Sequence, residues 1–174
     1  MYNIYINLTT LKESTMHTLL LLRHAKADAS MNTEDHKRPL SKRGIEDASM
    51  MAERLKKRGY TPDSIISSDA LRAMTTADIF AKTLERELIL NHALYNTDEQ
   101  SVSDLIEGMD EEIKDLVLVG HNPTWEVLVE YFTNETICMR PCSLVQISFD
   151  TAWKDIQKGD GDVIYFDDTK EGIR

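Results

Sequence analysis

An arginine and a histidine follow directly after a very apolar run near the start of the chain. Arg23 and His24 come after the four leucines of residues 19–22, and a strand this apolar is typical of a parallel sheet that is covered on both faces. Open α/β folds bind their ligands at the carboxyl ends of such strands. A cation beside an imidazole at that edge can hold an anion and attack it. The pair is therefore the first candidate for a functional site.

Two later predicted strands end in similar side chains. Residues 65–68 lead into a helix that carries Arg72, and residues 116–119 lead into the segment 120–123, which contains His121. Arginine binds phosphate oxygens through two parallel hydrogen bonds, and Arg72 is expected in the first turn of its helix, near the positive end of the helix dipole. Two arginines and two histidines at one sheet edge fit a dianionic phosphate better than any other common ligand.

These residue types also indicate roles. A neutral His24 whose far ring nitrogen is held by a backbone carbonyl can attack phosphorus and form a covalent phosphohistidine. Arg23, Arg72 and His121 can then stabilise charge on the phosphoryl oxygens in the transition state. Taken singly, each of these residues is more often structural than catalytic. Their joint placement at three strand ends is what favours catalysis.

Metal binding is the alternative chemistry for His24 and His121. The sequence places no His-x3-His or His-x-His pair around them, and the adjacent arginine would repel a cation held by His24. His17 and His92 have no supporting context, whereas His36, in a basic loop, is placed to line the pocket. We therefore expect no metal ion and no other cofactor at the site.

Apolar periodicity predicts helices between the strands. Ser41 is a suitable N-cap for the first helix, which Gly59 is expected to end. The inward stripe of that helix is expected to consist of Ile45, Ala48, Ala52 and Leu55. For the helix that carries Arg72, the expected cap is Asp69 or Ser68.

The rest of the chain completes an alternating pattern and then departs from it. Residues 88–90 are a short predicted strand, residues 102–113 a third amphipathic helix, and Pro123 is placed to open a fourth. Residues 145–149 and 163–166 are strands without a helix between them, so at least one pairing there is antiparallel. The fold predicted is α/β: a single-domain three-layer α/β/α sandwich with a mostly parallel central sheet and an added antiparallel strand.

Charge is distributed unevenly along the chain, whose net charge is −10. Residues 23–58 hold ten basic and six acidic side chains, whereas residues 87–174 hold six basic and nineteen acidic ones. The acidic half argues against nucleic acid as a partner, because its charge would repel the phosphates. The basic segment can focus a small anion at the arginine–histidine pair, although an ordinary mixed surface would have the same composition.

Length and hydropathy bound the location and the domain organisation. The 174 residues suit one domain. No apolar stretch approaches the roughly 20 residues that span a bilayer, and residues 1–15 lack the features of a secretory signal. We therefore expect a cytoplasmic protein with no membrane partner. Because Met16 is a plausible start just ahead of the first strand, residues 1–15 are a candidate for a dispensable N-terminal extension.

Four motifs occur in the order and at the spacing of a known family. They are Leu21-Leu22-Arg23-His24-Ala25-Lys26, the Arg38-Pro39-Leu40-Ser41-x2-Gly44 element, residues 67–77 with their arginine, and Val119-Gly120-His121-Asn122-Pro123. Together they resemble the histidine phosphatase (phosphoglycerate mutase-like) superfamily, specifically its small SixA-type phosphohistidine phosphatase branch. Residues 16–174 are then the histidine phosphatase domain. Ala25 stands where the superfamily's Arg-His-Gly signature has glycine, which the small branch often tolerates.

The resemblance implies a role for each matched residue. His24 is implied as the phosphorylated nucleophile, and Arg23, Arg72 and His121 complete the catalytic phosphate pocket. Arg38, in the basic loop element, is a secondary candidate for contact with the substrate.

Larger members of the superfamily also supply a carboxylic acid that protonates the leaving group. They supply it from the segment after the third strand, where Asp98 and Glu99 are the candidates in this chain. Neither position matches a motif, and a solvated acidic loop is the alternative. A site without a positioned acid is better suited to P–N bonds than to unactivated P–O bonds, because a phosphoramidate nitrogen departs with less help.

These observations lead to one predicted function. We predict a metal-independent phosphatase that acts through a covalent phosphohistidine intermediate on phosphohistidine in a partner protein of the histidine-containing phosphotransfer type. The short connections leave little chain for a lid, so a phosphorylated side chain from another protein can enter. The alternatives are a small-molecule phosphomonoesterase with the same catalytic core and a phosphate-binding module without catalysis.

Overall fold

A computed structural model describes residues 16–30 and 32–170, and the candidate extension over residues 1–15 lies outside them. The described ranges form a single α/β domain. Its strands are β1 (His17–Arg23), β2 (Ser64–Ser67), β3 (Leu88–Leu90), β4 (Asp115–Gly120), β5 (Leu144–Phe149) and β6 (Gly161–Asp167). Its α-helices are α1 (Lys42–Lys57), α2 (Leu71–Leu84), α3 (Glu99–Glu107) and α4 (Thr124–Thr133). The 3-10 helices are η1 (Asp35–Lys37), η2 (His92–Leu94) and η3 (Trp153–Asp155).

The strands form one sheet in the order β3-β2-β4-β1-β5-β6. The pairings β3-β2, β2-β4 and β4-β1 are parallel, whereas β5 runs antiparallel to both of its neighbours. This confirms the predicted sheet with its added antiparallel strand. Arg23 is paired with Gly120, and Ser67 with Val119. The carboxyl ends of β1, β4 and β2 therefore lie side by side at one edge of the sheet.

Helices cover both faces of this sheet, which gives the predicted three layers. Leu20 and Leu22 of β1 share a core with α1 and α2, and Leu19 and Leu21 share the opposite core with α3 and α4. All four leucines are fully buried, because β1 is central and is covered from both sides. Within the described residues, no helix combines the length and apolarity that crossing a membrane requires.

Two predicted helices differ in detail from the observed ones. Ile45 was expected on the inward stripe of α1 but is 46% exposed, because the buried face is centred further round the helix. That face consists of Gly44, Asp47, Ala48, Met51, Ala52 and Leu55. The third helix ends at Glu107, where Gly108 forms the C-cap, since glycine is a weak helix former. Ile113 lies beyond the helix but still packs against the core.

Candidate active site

Three neighbouring strands bring the predicted site residues to one edge of the sheet. His24 follows β1, and its backbone N–H donates to the carbonyl of Gly120 at 3.0 Å. His121 follows β4, and the first turn of α2 supplies Arg72. A cleft of about 280 Å³ lies at this edge. Five of the predicted residues line it: Arg23, His24, Arg38, Arg72 and His121.

The ring of His24 is held in one orientation by the backbone. Its Nδ1 lies 2.7 Å from the carbonyl oxygen of Ala25. Since a carbonyl only accepts, Nδ1 carries the proton and Nε2 keeps its lone pair. Burial lowers the pKa of His24 to about 3; the hydrogen bond to Ala25 acts in the opposite direction, and the nearby Arg72 and Arg23 lower the pKa further. The imidazole is therefore neutral at physiological pH, with Nε2 available as a nucleophile.

Arg72 lies beside that nucleophile, although the cap of its helix is not the predicted one. Its Nε donates to Nε2 of His24 at 3.3 Å. The N-cap position of α2 is Ala70, without a side-chain cap, so the prediction that Asp69 or Ser68 caps this helix is wrong. The physical reason is that Asp69 binds two other histidines, whereas the Ser68 hydroxyl contacts His121 and accepts from the backbone N–H of Ala70 at 3.2 Å, one residue ahead of the helix.

His121 faces His24 across the cleft, with their ring centroids 5.1 Å apart. Its Nε2 lies 2.9 Å from the hydroxyl oxygen of Ser68. Burial, and next to it the positive charge of Arg72, lowers the pKa of His121 to about 4. The second histidine is thus also neutral near pH 7 and can offer a hydrogen bond without adding charge.

Two arginine side chains contain buried donors that lack a partner. Nη1 of Arg23 donates to the carbonyl of Met139 at 2.7 Å. Nε of Arg23 and Nε of Arg38 are buried, and neither has a hydrogen-bond partner among the described residues. An unpaired buried donor costs about 1–3 kcal/mol. The oxygens of a bound oxyanion would satisfy such donors, so these atoms favour an anionic ligand.

The carboxylate of Asp35, which the sequence does not single out, contacts both Arg72 and Arg38 beside the cleft. The Asp35 carboxylate accepts hydrogen bonds from Nη2 of Arg72 at 2.9 Å and from the Tyr95 hydroxyl at 3.1 Å, and pairs with Nη2 of Arg38 at 2.9 Å. Partial burial raises the pKa of Asp35, but Arg72, Tyr95 and Arg38 together hold it below its usual range. The sequence carries one indication of this contact: Asp35 and Arg38 are three positions apart, a spacing that brings two side chains together on one helical turn.

The two candidate acids lie apart from this arrangement. Asp98 is the N-cap of α3, and its side chain accepts from the backbone N–H of Ser101 at 2.9 Å. That contact lowers the pKa of Asp98, which makes it a poor proton donor near pH 7. Glu99 begins the same helix and is exposed. Neither residue lines the cleft; their role as general acid stays a prediction, and the geometry does not favour it.

The fold is that of a phosphoglycerate mutase-like α/β protein, and Arg23, His24, Arg72 and His121 line a cleft at its strand ends. The family model described as "Histidine phosphatase superfamily (branch 1)" matches residues 19–126. This match covers more than half of the chain and contains the four motifs. The protein therefore belongs to the histidine phosphatase superfamily, as the motifs predict.

Comparison with individual proteins gives the same family. An uncharacterized chloroplastic protein of Arabidopsis thaliana is 27% identical over 155 residues, which cover 82% of this chain and 71% of that protein. A proposed phosphohistidine phosphatase SixA from Nakamurella multipartitia has a TM-score of 0.79 at 19% identity, covering 88% of this chain and 96% of the other. A proposed SixA from Agrobacterium tumefaciens has a TM-score of 0.75 at 26% identity, covering 87% and 97%. These two neighbours carry the name of the branch that the motifs resemble, whereas a mycobacterial glucosyl-3-phosphoglycerate phosphatase has a TM-score of 0.64 at 18% identity, covering 86% of this chain and 97% of the other.

Proposed function

We propose that this protein is a metal-independent phosphatase in which His24 attacks the phosphoryl group of the substrate. The observation that carries the proposal is the hydrogen bond between Nδ1 of His24 and the carbonyl of Ala25 at 2.7 Å. It fixes the tautomer in which Nε2 is unprotonated, beside a guanidinium that can bind the phosphate. A nucleophile oriented in this way has no use in a module that only binds phosphate.

The reaction has two steps at phosphorus. In the first, the Nε2 lone pair of His24 forms a bond to phosphorus, and the bond to the leaving group breaks with its electron pair going to that group, which takes a proton from solvent. In the second, water attacks phosphorus, the P–Nε2 bond breaks with its electron pair returning to Nε2, and inorganic phosphate leaves with the protons of that water. Arg23, Arg72 and His121 bind the non-bridging oxygens throughout and stabilise the transition-state charge. The two guanidinium groups supply the positive charge that a metal ion would otherwise bring.

The proposed substrate is phosphohistidine on a protein. The cleft is at the small end of the range for ligand sites, which suits a phosphorylated side chain. Among the described residues that line it there is no carboxylic acid, and the nearby Asp35 is ionised because its pKa is lowered. A P–N bond needs less help from an acid than an alkyl phosphate does. The SixA names of two structural neighbours support this substrate class, whereas the glucosyl-3-phosphoglycerate phosphatase name of another supports the small-molecule alternative.

A turnover comparison with the purified full chain tests this proposal. A phosphohistidine peptide, an aryl phosphate and several sugar phosphates are compared by kcat/KM, with and without a chelator. We expect the peptide and the aryl phosphate to be hydrolysed, the chelator to cause no loss, and His24→Ala to lose at least about a thousandfold. Preference for a sugar phosphate would instead indicate a small-molecule phosphomonoesterase. Phosphate binding without turnover would indicate a binding module.

A further inference from the structure

Three side chains that the proposed reaction does not use converge beside Tyr95, whose ring lies 5.8 Å from that of His121; none of the three, His36 included, is among the described residues that line the cleft. His36 lies on η1, Asp69 follows the end of β2, and His92 begins η2. Their two ring nitrogens and one carboxylate oxygen all lie within 4.8 Å of one another. His92 has no supporting context in its own part of the sequence, because its partners Asp69 and His36 lie 23 and 56 positions earlier in the chain.

The cluster, His36–Asp69–His92, is held together by the carboxylate. Nε2 of His36 is 2.9 Å from Oδ1 of Asp69, and Nδ1 of His92 is 2.8 Å from Oδ2. Tyr95 packs edge-on against the ring of His36, with centroids 4.8 Å apart. The His92 side chain is 76% exposed, so the outer side of the cluster is open to water.

These donors match the preferences of one class of metal ion. Zn²⁺ is commonly bound by three protein ligands and a water, with imidazole nitrogens and a carboxylate oxygen at about 2.0–2.2 Å. In a tetrahedral site of that size the ligand atoms lie about 3.3 Å apart. The two nitrogen–oxygen distances in the cluster, 2.9 and 2.8 Å, are shorter than this by about 0.4 and 0.5 Å and involve different oxygens of Asp69, so both imidazoles must turn from these hydrogen bonds toward one ion. Mg²⁺ and Ca²⁺ prefer oxygen ligands, whereas two imidazoles select zinc-class ions.

We propose that the His36–Asp69–His92 cluster is a binding site for a Zn²⁺-class ion, and that an ion held there opposes phosphate binding in the cleft. The coupling follows from the position of Asp35, the neighbour of His36 on η1. Asp35 contacts both Arg72 and Arg38, and phosphate needs those same guanidinium groups. An ion bound to His36 holds η1 in the position in which Asp35 stays paired with Arg72 and Arg38. Metal binding at the cluster and phosphate binding in the cleft then weaken each other, although no residue contacts both.

The charges around the cluster permit a cation. Arg72 and Arg38 are the nearby positive groups on the cleft side, and Asp35 pairs with both. Lys37, the other neighbour of His36, pairs with Glu34 at 2.9 Å. The surroundings of His24 differ in this respect, because no carboxylate of the described residues forms an ion pair with the adjacent Arg23.

A Co²⁺ titration of the full chain tests the binding site directly, because tetrahedral Co²⁺ absorbs visible light. We expect one site of tetrahedral type, from which Zn²⁺ displaces the Co²⁺. His92→Gln should weaken binding at least about tenfold, since it removes one of three ligands. Two matched variants should bind as the parent does: Cys138→Ser, which removes an exposed thiol, and His24→Gln. Unchanged binding in His92→Gln, or loss in His24→Gln, would overturn the assignment.

Inhibition by Zn²⁺ tests the coupling, which rests on the proposed function. In an aryl phosphate assay, His92→Gln should be as active as the parent without metal and at least about tenfold less sensitive to Zn²⁺. Asp35→Asn should still bind Co²⁺ but be inhibited less. Equal inhibition of the parent and both variants would overturn the coupling. If the chain hydrolyses no phosphate at all, the proposed function fails, whereas the Co²⁺ titration still decides whether the metal site exists.

Discussion

Arg72 donates from Nη1 to the backbone carbonyl of Asp35 at 2.6 Å and from Nη2 to its carboxylate at 2.9 Å. The guanidinium that we assign to phosphate is therefore already bound to an oxyanion of the same chain. Its Nε donates to Nε2 of His24 at 3.3 Å, so Arg72 lies beside the nucleophile before any substrate arrives, and this hydrogen bond is released when Nε2 attacks phosphorus. A phosphoryl group that binds through Nη2 competes with the Asp35 carboxylate for this guanidinium.

Asp35→Asn should therefore bind inorganic phosphate more tightly than the parent. The Asp35 side chain is 53% exposed, and ion pairs of this kind are worth at most about 1 kcal/mol, so we expect a gain of about three- to fivefold. Isothermal titration with phosphate measures it. Asp78→Asn, which removes the exposed partner of Lys82, is the matched control and should bind phosphate as the parent does. Weaker binding in Asp35→Asn would mean that Asp35 positions Arg72 for the substrate.

Arg72→Lys should be severely damaging although it keeps the positive charge. Lysine offers a point charge in place of a planar fork, so the phosphoryl oxygens lose paired contacts. Loss of a transition-state donor costs about 10²–10³ in rate, and steady-state kinetics on an aryl phosphate measures this. The control is Arg43→Lys, at an exposed arginine that pairs with Asp47. Equal kinetics in the two variants would remove Arg72 from the site.

Protein stability should depend on pH through His24, whose pKa burial lowers to about 3. An unfolded histidine has a pKa near 6.5, so below that pH the unfolded chain binds a proton that the folded chain does not. The free energy of unfolding should thus fall as the pH drops from about 6.5 toward 3, by up to about 1.4 kcal/mol per pH unit for this one group. Urea unfolding at pH 6.5 and 5.0 should show a shallower fall for His24→Asn. Identical slopes would contradict the lowered pKa.

Gly44→Ala should destabilise the fold at the loop that carries Arg38. A Cβ at position 44 would lie 2.2 Å from the backbone carbonyl oxygen of Lys26, which Ser41 also binds. Overpacking against backbone typically costs about 1–3 kcal/mol, measurable by urea unfolding. At Gly108 an added Cβ would meet nothing closer than 3.4 Å, so Gly108→Ala is the control and should change stability little. Equal effects of the two changes would contradict a specific clash at Gly44.

The features that sequence predicted well are those that local pattern determines. The leucine run before Arg23 predicts a strand buried on both faces, and strand ends in a parallel sheet place His24, Arg72 and His121 together. The contact of Asp35 with the arginines could not be predicted, because it depends on the path of the loop after β1. Asp35 reaches the arginines only because the loop after β1 folds back, through a pairing of Ala27 with Leu40.

The cap of α2 was mispredicted for a related reason. Serine and aspartate before a helix usually satisfy its free N–H groups, but here His121 binds the Ser68 hydroxyl and two histidines bind the Asp69 carboxylate. The Ser68 hydroxyl also accepts from the backbone N–H of Ala70, just ahead of the helix, and the histidine partners are all distant in sequence. Propensity alone gives no means of anticipating them.

The most direct test of the account is the chemical identity of a phosphoryl group trapped on the enzyme. Rapid quenching with labelled substrate should yield protein-bound label that survives alkali and is lost in acid, as phosphohistidine is. His121→Ala should accumulate more label, because breakdown of the intermediate is slowed, and His24→Ala should carry none. Label that is stable to acid and lost in alkali, or that persists in His24→Ala, would contradict His24 as the nucleophile.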